Sequence, residues 1–176
     1  MLKIIVFKLS VFIFFTGCAG AGQTNTQKSS LPEKGSFSLV LDTVEGDVFN
    51  FNDIRGKKHL LVAFWATWCE PCKTELRKLS EMYPDYSEKV EFVAVSIDTE
   101  ESLDRVDMFV IENNIPFPVL IDPAGNAVAS MIPGGETVPY TILVSKSGEI
   151  VARHTGYRPG EEKIIKREIE KLIENE

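Results

Sequence analysis

The stretch His59-Leu60-Leu61-Val62-Ala63-Phe64-Trp65-Ala66-Thr67-Trp68-Cys69-Glu70-Pro71-Cys72 decides the fold. Its first seven residues form a near-continuous apolar run, the pattern of a strand buried on both faces. A helical period follows, with Leu76, Leu79, Met82 and Tyr83 on one face. A strand that passes the chain straight to a helix puts Cys69 at the helix N-terminus. There, unpaired N–H groups and a partial positive charge favour a thiolate over a thiol. Pro71 suits the first turn, where its missing N–H costs no hydrogen bond. Cys69 is then the attacking sulfur and Cys72, one turn further in, the resolving sulfur, and the two can close a small disulfide ring. Glu70 sets a negative charge beside Cys69 that partly opposes the thiolate.

Working outward from this turn, strands and helices alternate. Phe37–Leu41 and Val48–Phe51 flank Glu45-Gly46-Asp47 and predict a hairpin. Val90–Ile97 is the next strand, Leu103, Val106 and Val110 line a second helix, and Phe117–Ile121 is a further short strand closed by Asp122-Pro123-Ala124-Gly125. Tyr140–Val144 and Glu149–Arg153 flank Lys146-Ser147-Gly148 as an antiparallel hairpin. Ile165, Ile169, Leu172 and Ile173 mark an amphipathic closing helix. The pattern is α/β: a mixed central sheet with helices on both faces. The acidic run Asp98-Thr99-Glu100-Glu101 reads as a solvated helix start, Trp65 as core, and His59 and His154 as structural or exposed.

The 176 residues suffice for one domain with a short appendage. At 44% hydrophobic and 26% charged, the composition is that of a globular chain. A formal net charge of −7 gives no electrostatic reason to expect nucleic-acid binding. Residues 1–17 read as a targeting segment: Lys3 and Lys8 are their only charges, and Leu9–Phe15 is an apolar block too short to span a bilayer. Removing them takes away two lysines and no acid, bringing the charge to −9. Residues 18–34 are small and polar, with no apolar period, and read as a flexible tether. The folded domain is expected over 35–176.

The cysteine pair has competing readings. Half of a zinc site needs a second ligand pair, and the third and last cysteine is the distant Cys18. Haem attachment needs a histidine directly after the second cysteine, and Lys73 stands there. A structural disulfide more often joins distant segments. Redox activity is the favoured reading, with no metal and no cofactor expected.

The segment Phe64-Trp65-Ala66-Thr67-Trp68-Cys69-Glu70-Pro71-Cys72 resembles the active site of thioredoxin-like proteins, and in detail that of the membrane-tethered TlpA/ResA-like branch. The resemblance covers about Gly35 to Glu176. It implies a thioredoxin-like fold with an N-terminal hairpin extension and a central strand–helix insert over Glu88 to Pro123. It implies that Pro139 of Val138-Pro139 is a cis-proline facing the disulfide, so that Val138 offers its backbone to an extended peptide. It implies that Glu75 sits beneath the disulfide and assists proton movement, with a carboxyl pKa raised by burial. Trp68, Glu70, Pro71 and Val138 then form the docking surface, and Tyr140 stands where the family often has threonine. A peroxidase is disfavoured, because a peroxiredoxin cysteine stands in a Pro-x-x-x-Thr-x-x-Cys setting and the matching positions here are Val62 and Ala66.

Thr16-Gly17-Cys18 resembles a bacterial lipobox, with Phe15 where leucine is more usual, and implies acylation of Cys18. Together these readings predict an extracytoplasmic, lipid-anchored thiol–disulfide oxidoreductase. Its expected partners are exported protein disulfides, such as those of apocytochromes c during their maturation, with a membrane thiol-electron transporter as the reductant. A general disulfide reductase or an oxidant of other substrates is the alternative within redox chemistry. A lipid-anchored binding or chaperone-like module with an incidental cysteine pair is the alternative outside it. Mass spectrometry of the protein from membranes should find its mature N-terminus at acylated Cys18; any other N-terminus rejects the lipid anchor.

Overall fold

All seven residues of His59–Trp65 are buried, and this strand, β3, lies inside the sheet with a neighbour on each side. The computed structural model describes residues 39–175, so the targeting segment, Cys18, the tether and the first residues of the expected domain lie outside the described residues. Among the described residues the strands are β1 (Val40–Thr43), β2 (Val48–Asn50), β3, β4 (Val90–Ser96), β5 (Val119–Ile121), β6 (Tyr140–Val144) and β7 (Ile150–Thr155). The helices are α1 (Glu70–Tyr86), α2 (Leu103–Asn113), α3 (Asn126–Met131) and α4 (Glu162–Glu174). The sheet runs β2-β1-β5-β4-β3-β6-β7. β3, β4 and β5 are mutually parallel neighbours, while β1, β6 and β7 pair antiparallel. This is the thioredoxin-like mixed sheet expected from the sequence.

Side chains alternate across a strand, so β3 feeds two cores. Leu61, Ala63 and Trp65 join Leu76, Leu79 and Met82 of α1, Val106, Phe109 and Val110 of α2, and Ile165 and Ile169 of α4. Leu60, Val62 and Phe64 face the other way, onto Phe51 and onto Ala127, Val128 and Met131 of α3. Three of the four described α-helices thus pack on one face, and the second face is covered by the six-residue α3 and the short turn that carries Phe51.

Local chemistry shifts several boundaries from their sequence expectation. The first hairpin pairs Val40 with Asn50 and Asp42 with Val48, and its first strand runs on to Thr43, past the expected end at Leu41. Its turn needs Gly46 at φ 90°, a left-handed backbone that glycine adopts without penalty. Phe51 does not extend β2. The Asn50 side chain accepts from the Asn52 N–H at 3.0 Å, starts a 3-10 turn and tucks Phe51 into the core. β5 is confined to Val119–Ile121, since Pro116 and Pro118 carry no N–H for a ladder. α3 carries no sequence signal, being too short for a period to show. Its cap comes from the preceding turn: the Asp122 carboxylate accepts from the N–H groups of Asn126, Ala127 and Val128 at 2.8–3.1 Å. Burial pushes the Asp122 carboxyl pKa up, against these three bonds.

α1 is held by the side chains it buries. Leu79 is fully buried between the helix and the sheet. Leu79→Ala should lower the free energy of unfolding by about 2–5 kcal/mol, read from urea denaturation of the oxidised protein.

Candidate active site

Beyond Trp65 the chain leaves β3, and after four intervening residues α1 begins. Cys69 is the N-cap of α1, with an extended backbone, and its Sγ accepts from the Cys72 N–H at 3.3 Å. The Cys69 N–H donates to the Ala66 carbonyl at 3.0 Å, closing the turn. Cys69 and Cys72 form a disulfide with their Cα atoms 5.3 Å apart. Cys72 is wholly buried, whereas Cys69 keeps 6% of its surface exposed, so a partner has access from the Cys69 side. A reduced Cys69 would meet the same N–H and the same positive helix end, both of which favour the thiolate.

The charge of Glu70 is offset locally. Its carboxylate pairs with Lys73 Nζ at 2.8 Å, and this contact holds its pKa below the usual range. The opposition to a Cys69 thiolate expected from Glu70 is accordingly weakened. Pro71 occupies the first turn and is exposed. Trp68 is 66% exposed beside the disulfide. Trp65 is core, its ring 4.9 Å from that of Phe109.

The Val138–Pro139 peptide bond is cis and leads directly into β6. Val138 is half-buried, and the Pro139 carbonyl accepts from Gly156 N–H at 2.8 Å. Two residues on, Thr141 pairs with Ala63 in the ladder and donates its hydroxyl to Glu75 Oε1 at 2.9 Å. Glu75 is 3% exposed. It lies one turn along α1 from Cys72, a spacing that puts the two on neighbouring positions of one helix face. Desolvation pushes its carboxyl pKa up to about 7, countered in part by the Thr141 bond and reinforced by the charge of Glu161.

A correction concerns Asp98. The sequence suggested a solvated helix start, but Asp98 is buried. It accepts from Thr67 N–H at 2.8 Å, from the Thr67 hydroxyl at 2.6 Å and from the Ser96 hydroxyl at 2.8 Å. The parallel register pairs Trp65 with Ser96, so Thr67 and Asp98 each lie two residues past a paired position. Strand pairing was the signal that could have found this contact; composition was not. Thr141 is the other residue that the sequence reading missed, and it too is recognised only through its pairing with Ala63.

The histidines lie in structural contacts. His59 is buried, with Nδ1 accepting from Lys146 N–H, and His154 pairs with Glu168 at 2.7 Å. A cleft of about 280 Å³ opens beside Trp68, bounded by Asp98, Thr99, Asp122, Pro123 and Glu136 among others. Among the described residues no helix is long and apolar enough to cross a membrane, and no cluster of three or more His, Cys, Asp or Glu could hold a metal ion.

A dithiol poised at a helix end on this sheet can exchange electrons with another disulfide, and the class so defined is the thioredoxin-like thiol–disulfide oxidoreductase. The chain belongs to the AhpC/TSA family, whose pattern matches residues 33–153. It is 28% identical over 163 residues to the thiol-disulfide oxidoreductase ResA of Bacillus cereus, covering 90% of this chain and 91% of that one. It is 34% identical over 120 residues to ResA of Halalkalibacterium halodurans, covering 68% of this chain and 65% of the other. The crystal structure of StoA from Bacillus subtilis superposes with a TM-score of 0.60 at 26% identity, over 73% of this chain and 93% of StoA. Within the AhpC/TSA family the peroxiredoxin proline and threonine positions are here the buried, apolar Val62 and Ala66.

The raised Glu75 pKa sets a pH dependence. Folded, the carboxyl holds its proton up to about pH 7; unfolded, it releases it near 4.5. The folded state therefore carries no penalty below about pH 4.5 and the full penalty, about 3 kcal/mol, above about pH 7. Glu75→Gln keeps an oxygen for Thr141 and never ionises. Its stability relative to the parent should rise as pH goes from 5 to 8, measured by denaturant midpoints; a gap that does not change with pH overturns the assignment.

Proposed function

We propose that the protein is an extracytoplasmic disulfide reductase, tethered to lipid through acylated Cys18, that delivers electrons to exported proteins. The observation that carries this reading is the Cys69–Cys72 disulfide at the start of α1, with the cis Val138–Pro139 bond leading into the adjacent strand. The relatives named thiol-disulfide oxidoreductase support the chemistry, and the targeting pattern of residues 1–17 supports the compartment.

In the reduced protein, the Cys69 thiolate attacks one sulfur of the partner's disulfide. A bond forms between Cys69 and that sulfur, the partner's S–S bond breaks, and the second partner sulfur leaves as a thiolate. Cys72 then loses its proton and attacks Cys69, which releases the first partner sulfur and leaves the Cys69–Cys72 disulfide. Two electrons pass to the partner. Glu75, with a pKa near neutrality and one turn from Cys72, takes the Cys72 proton; on recharging it returns it. Val138, next to the cis-proline, pairs its backbone with an extended partner segment, while Trp68 and the exposed faces of Glu70 and Pro71 complete the docking surface. Surroundings that favour disulfides require recharging by a thiol-electron carrier in the membrane. Apocytochrome c, whose haem-attachment cysteines must be reduced, is the partner class that the ResA-like resemblance suggests.

Cys72→Ser removes the resolving sulfur and should hold partners as mixed disulfides on Cys69. Their identification by mass spectrometry should include apocytochromes c; capture of other exported proteins alone moves the reading to a general reductase. Cys69→Ala should abolish insulin reduction. Activity persisting in that variant would support a binding module instead.

A further inference from the structure

α1 holds Cys69 from one side, through the bonds of its Cys72 and Lys73 N–H groups to the Cys69 sulfur and carbonyl, and the turn from β3 has to hold it from the other. Ala66, Thr67, Trp68 and Cys69 lie outside the ladder and the helix, so their backbone groups need other partners. Trp68 is mostly exposed and provides little packing to fix the turn. The anchor is Thr67, and what holds Thr67 is Asp98. One carboxyl oxygen of Asp98 accepts from the Thr67 N–H and from the Ser96 hydroxyl, and the other accepts from the Thr67 hydroxyl. The Ser96 hydroxyl in turn accepts from the Asp98 N–H at 3.1 Å, and the Ile97 N–H donates to the Trp65 carbonyl at 2.9 Å. The end of β4 thus holds the chain on both sides of Ala66. Asp98 is 1% exposed, and burying a carboxyl group is costly unless its oxygens find donors; here they find three.

We propose that Asp98 is a positioning residue for thiol–disulfide exchange: through its two bonds to Thr67 it fixes the turn that places Cys69 Sγ on the Cys72 N–H at the start of α1. Asp98 and Trp68 also border the same cleft, so the residue that orients the nucleophile is continuous with the surface beside it. The inference rests on Cys69 being the attacking sulfur, as proposed above. It goes further in naming a residue, remote in sequence and outside the Cys-x-x-Cys segment, on which the reactivity of Cys69 depends. Placement at this level matters, since a misplacement of about 1 Å in a reacting group can cost on the order of a hundredfold in rate.

The test compares four variants with the parent. Asp98→Ala removes all three acceptor contacts. Asp98→Asn keeps the geometry: its carbonyl oxygen can accept from the Thr67 N–H and the Ser96 hydroxyl, and its amide can donate to a Thr67 hydroxyl turned to accept. Thr67→Val removes one bond and leaves the backbone contact. Leu41→Ala opens the core on the opposite face and lowers stability without touching the turn. For each reduced protein, the rate of attack on a small aromatic disulfide is measured across pH, with the thermal midpoint alongside.

Asp98→Ala should slow attack at neutral pH by about tenfold or more and move the pH profile of Cys69 upward, while Asp98→Asn stays within about twofold of the parent. Thr67→Val should fall between them, and it carries the test if Asp98→Ala does not fold. Leu41→Ala should lower the midpoint and leave rate and profile unchanged. The inference is overturned if Asp98→Ala, or Thr67→Val in its place, loses only midpoint, as Leu41→Ala does. It is also overturned if Asp98→Asn is as impaired as Asp98→Ala, since charge and not placement would then be at work. Cys69→Ala, run beside them, keeps the two readings apart. If that variant still reduces the probe, the attacking role of Cys69 fails; if it is inert while Asp98→Ala is unimpaired, only the positioning role fails.

Discussion

The first N–H groups of an α-helix have no carbonyl of their own to reach, and in this protein one of them is satisfied by a cysteine sulfur. Cys69 caps α1, its Sγ meets the Cys72 N–H, and Cys72 itself sits in the first turn. The same dipolar end that favours a thiolate also brings the two sulfurs within bonding distance. Every other part of the site acts on this one junction. β3 aims the chain at it, and α1 and α2 pack around Trp65 beneath it. β6 pairs Thr141 with Ala63 of β3 and so brings its hydroxyl to Glu75, and the cis Val138–Pro139 bond leads into the same strand.

Two buried carboxyl groups flank the junction and differ in their surroundings. Asp98 has three donors and braces the backbone ahead of Cys69. Glu75 has one side-chain donor, the Thr141 hydroxyl, which only partly offsets the burial that raises its pKa to about 7. A carboxyl group well supplied with hydrogen bonds suits a structural task. One with few bonds and a near-neutral pKa suits proton transfer. The division follows from what each group touches; the burial of Glu75 was expected through the family resemblance, and that of Asp98 was not.

The parts of the molecule legible in the sequence are those with local causes. β3 announces itself by seven apolar residues, α1 by its period and the redox turn by the two cysteines with Pro71 between them. The cis Val138–Pro139 bond was expected through the family resemblance, since nothing in the dipeptide itself requires it. What stayed hidden depends on strand pairing or on caps and turns too short to leave a period. Asp98 looked solvated because its neighbours Thr99, Glu100 and Glu101 are exposed, and only the Trp65–Ser96 pairing shows that it turns inward. α3 is six residues long and capped by Asp122, which precedes it by a loop, so neither period nor cap marks it. Phe51 reads as strand by composition and becomes a core anchor because Asn50 starts a turn.

β3 is paired on both sides, parallel to β4 through seven positions and antiparallel to β6 through five. Amides so enclosed exchange with solvent only when much of the domain opens, so this strand belongs to the last region to come apart. The reactive turn is fastened to the end of that region. Each catalytic round thus begins from a turn fastened to the most protected strand, where a sulfur–sulfur bond opens and closes at one helix tip.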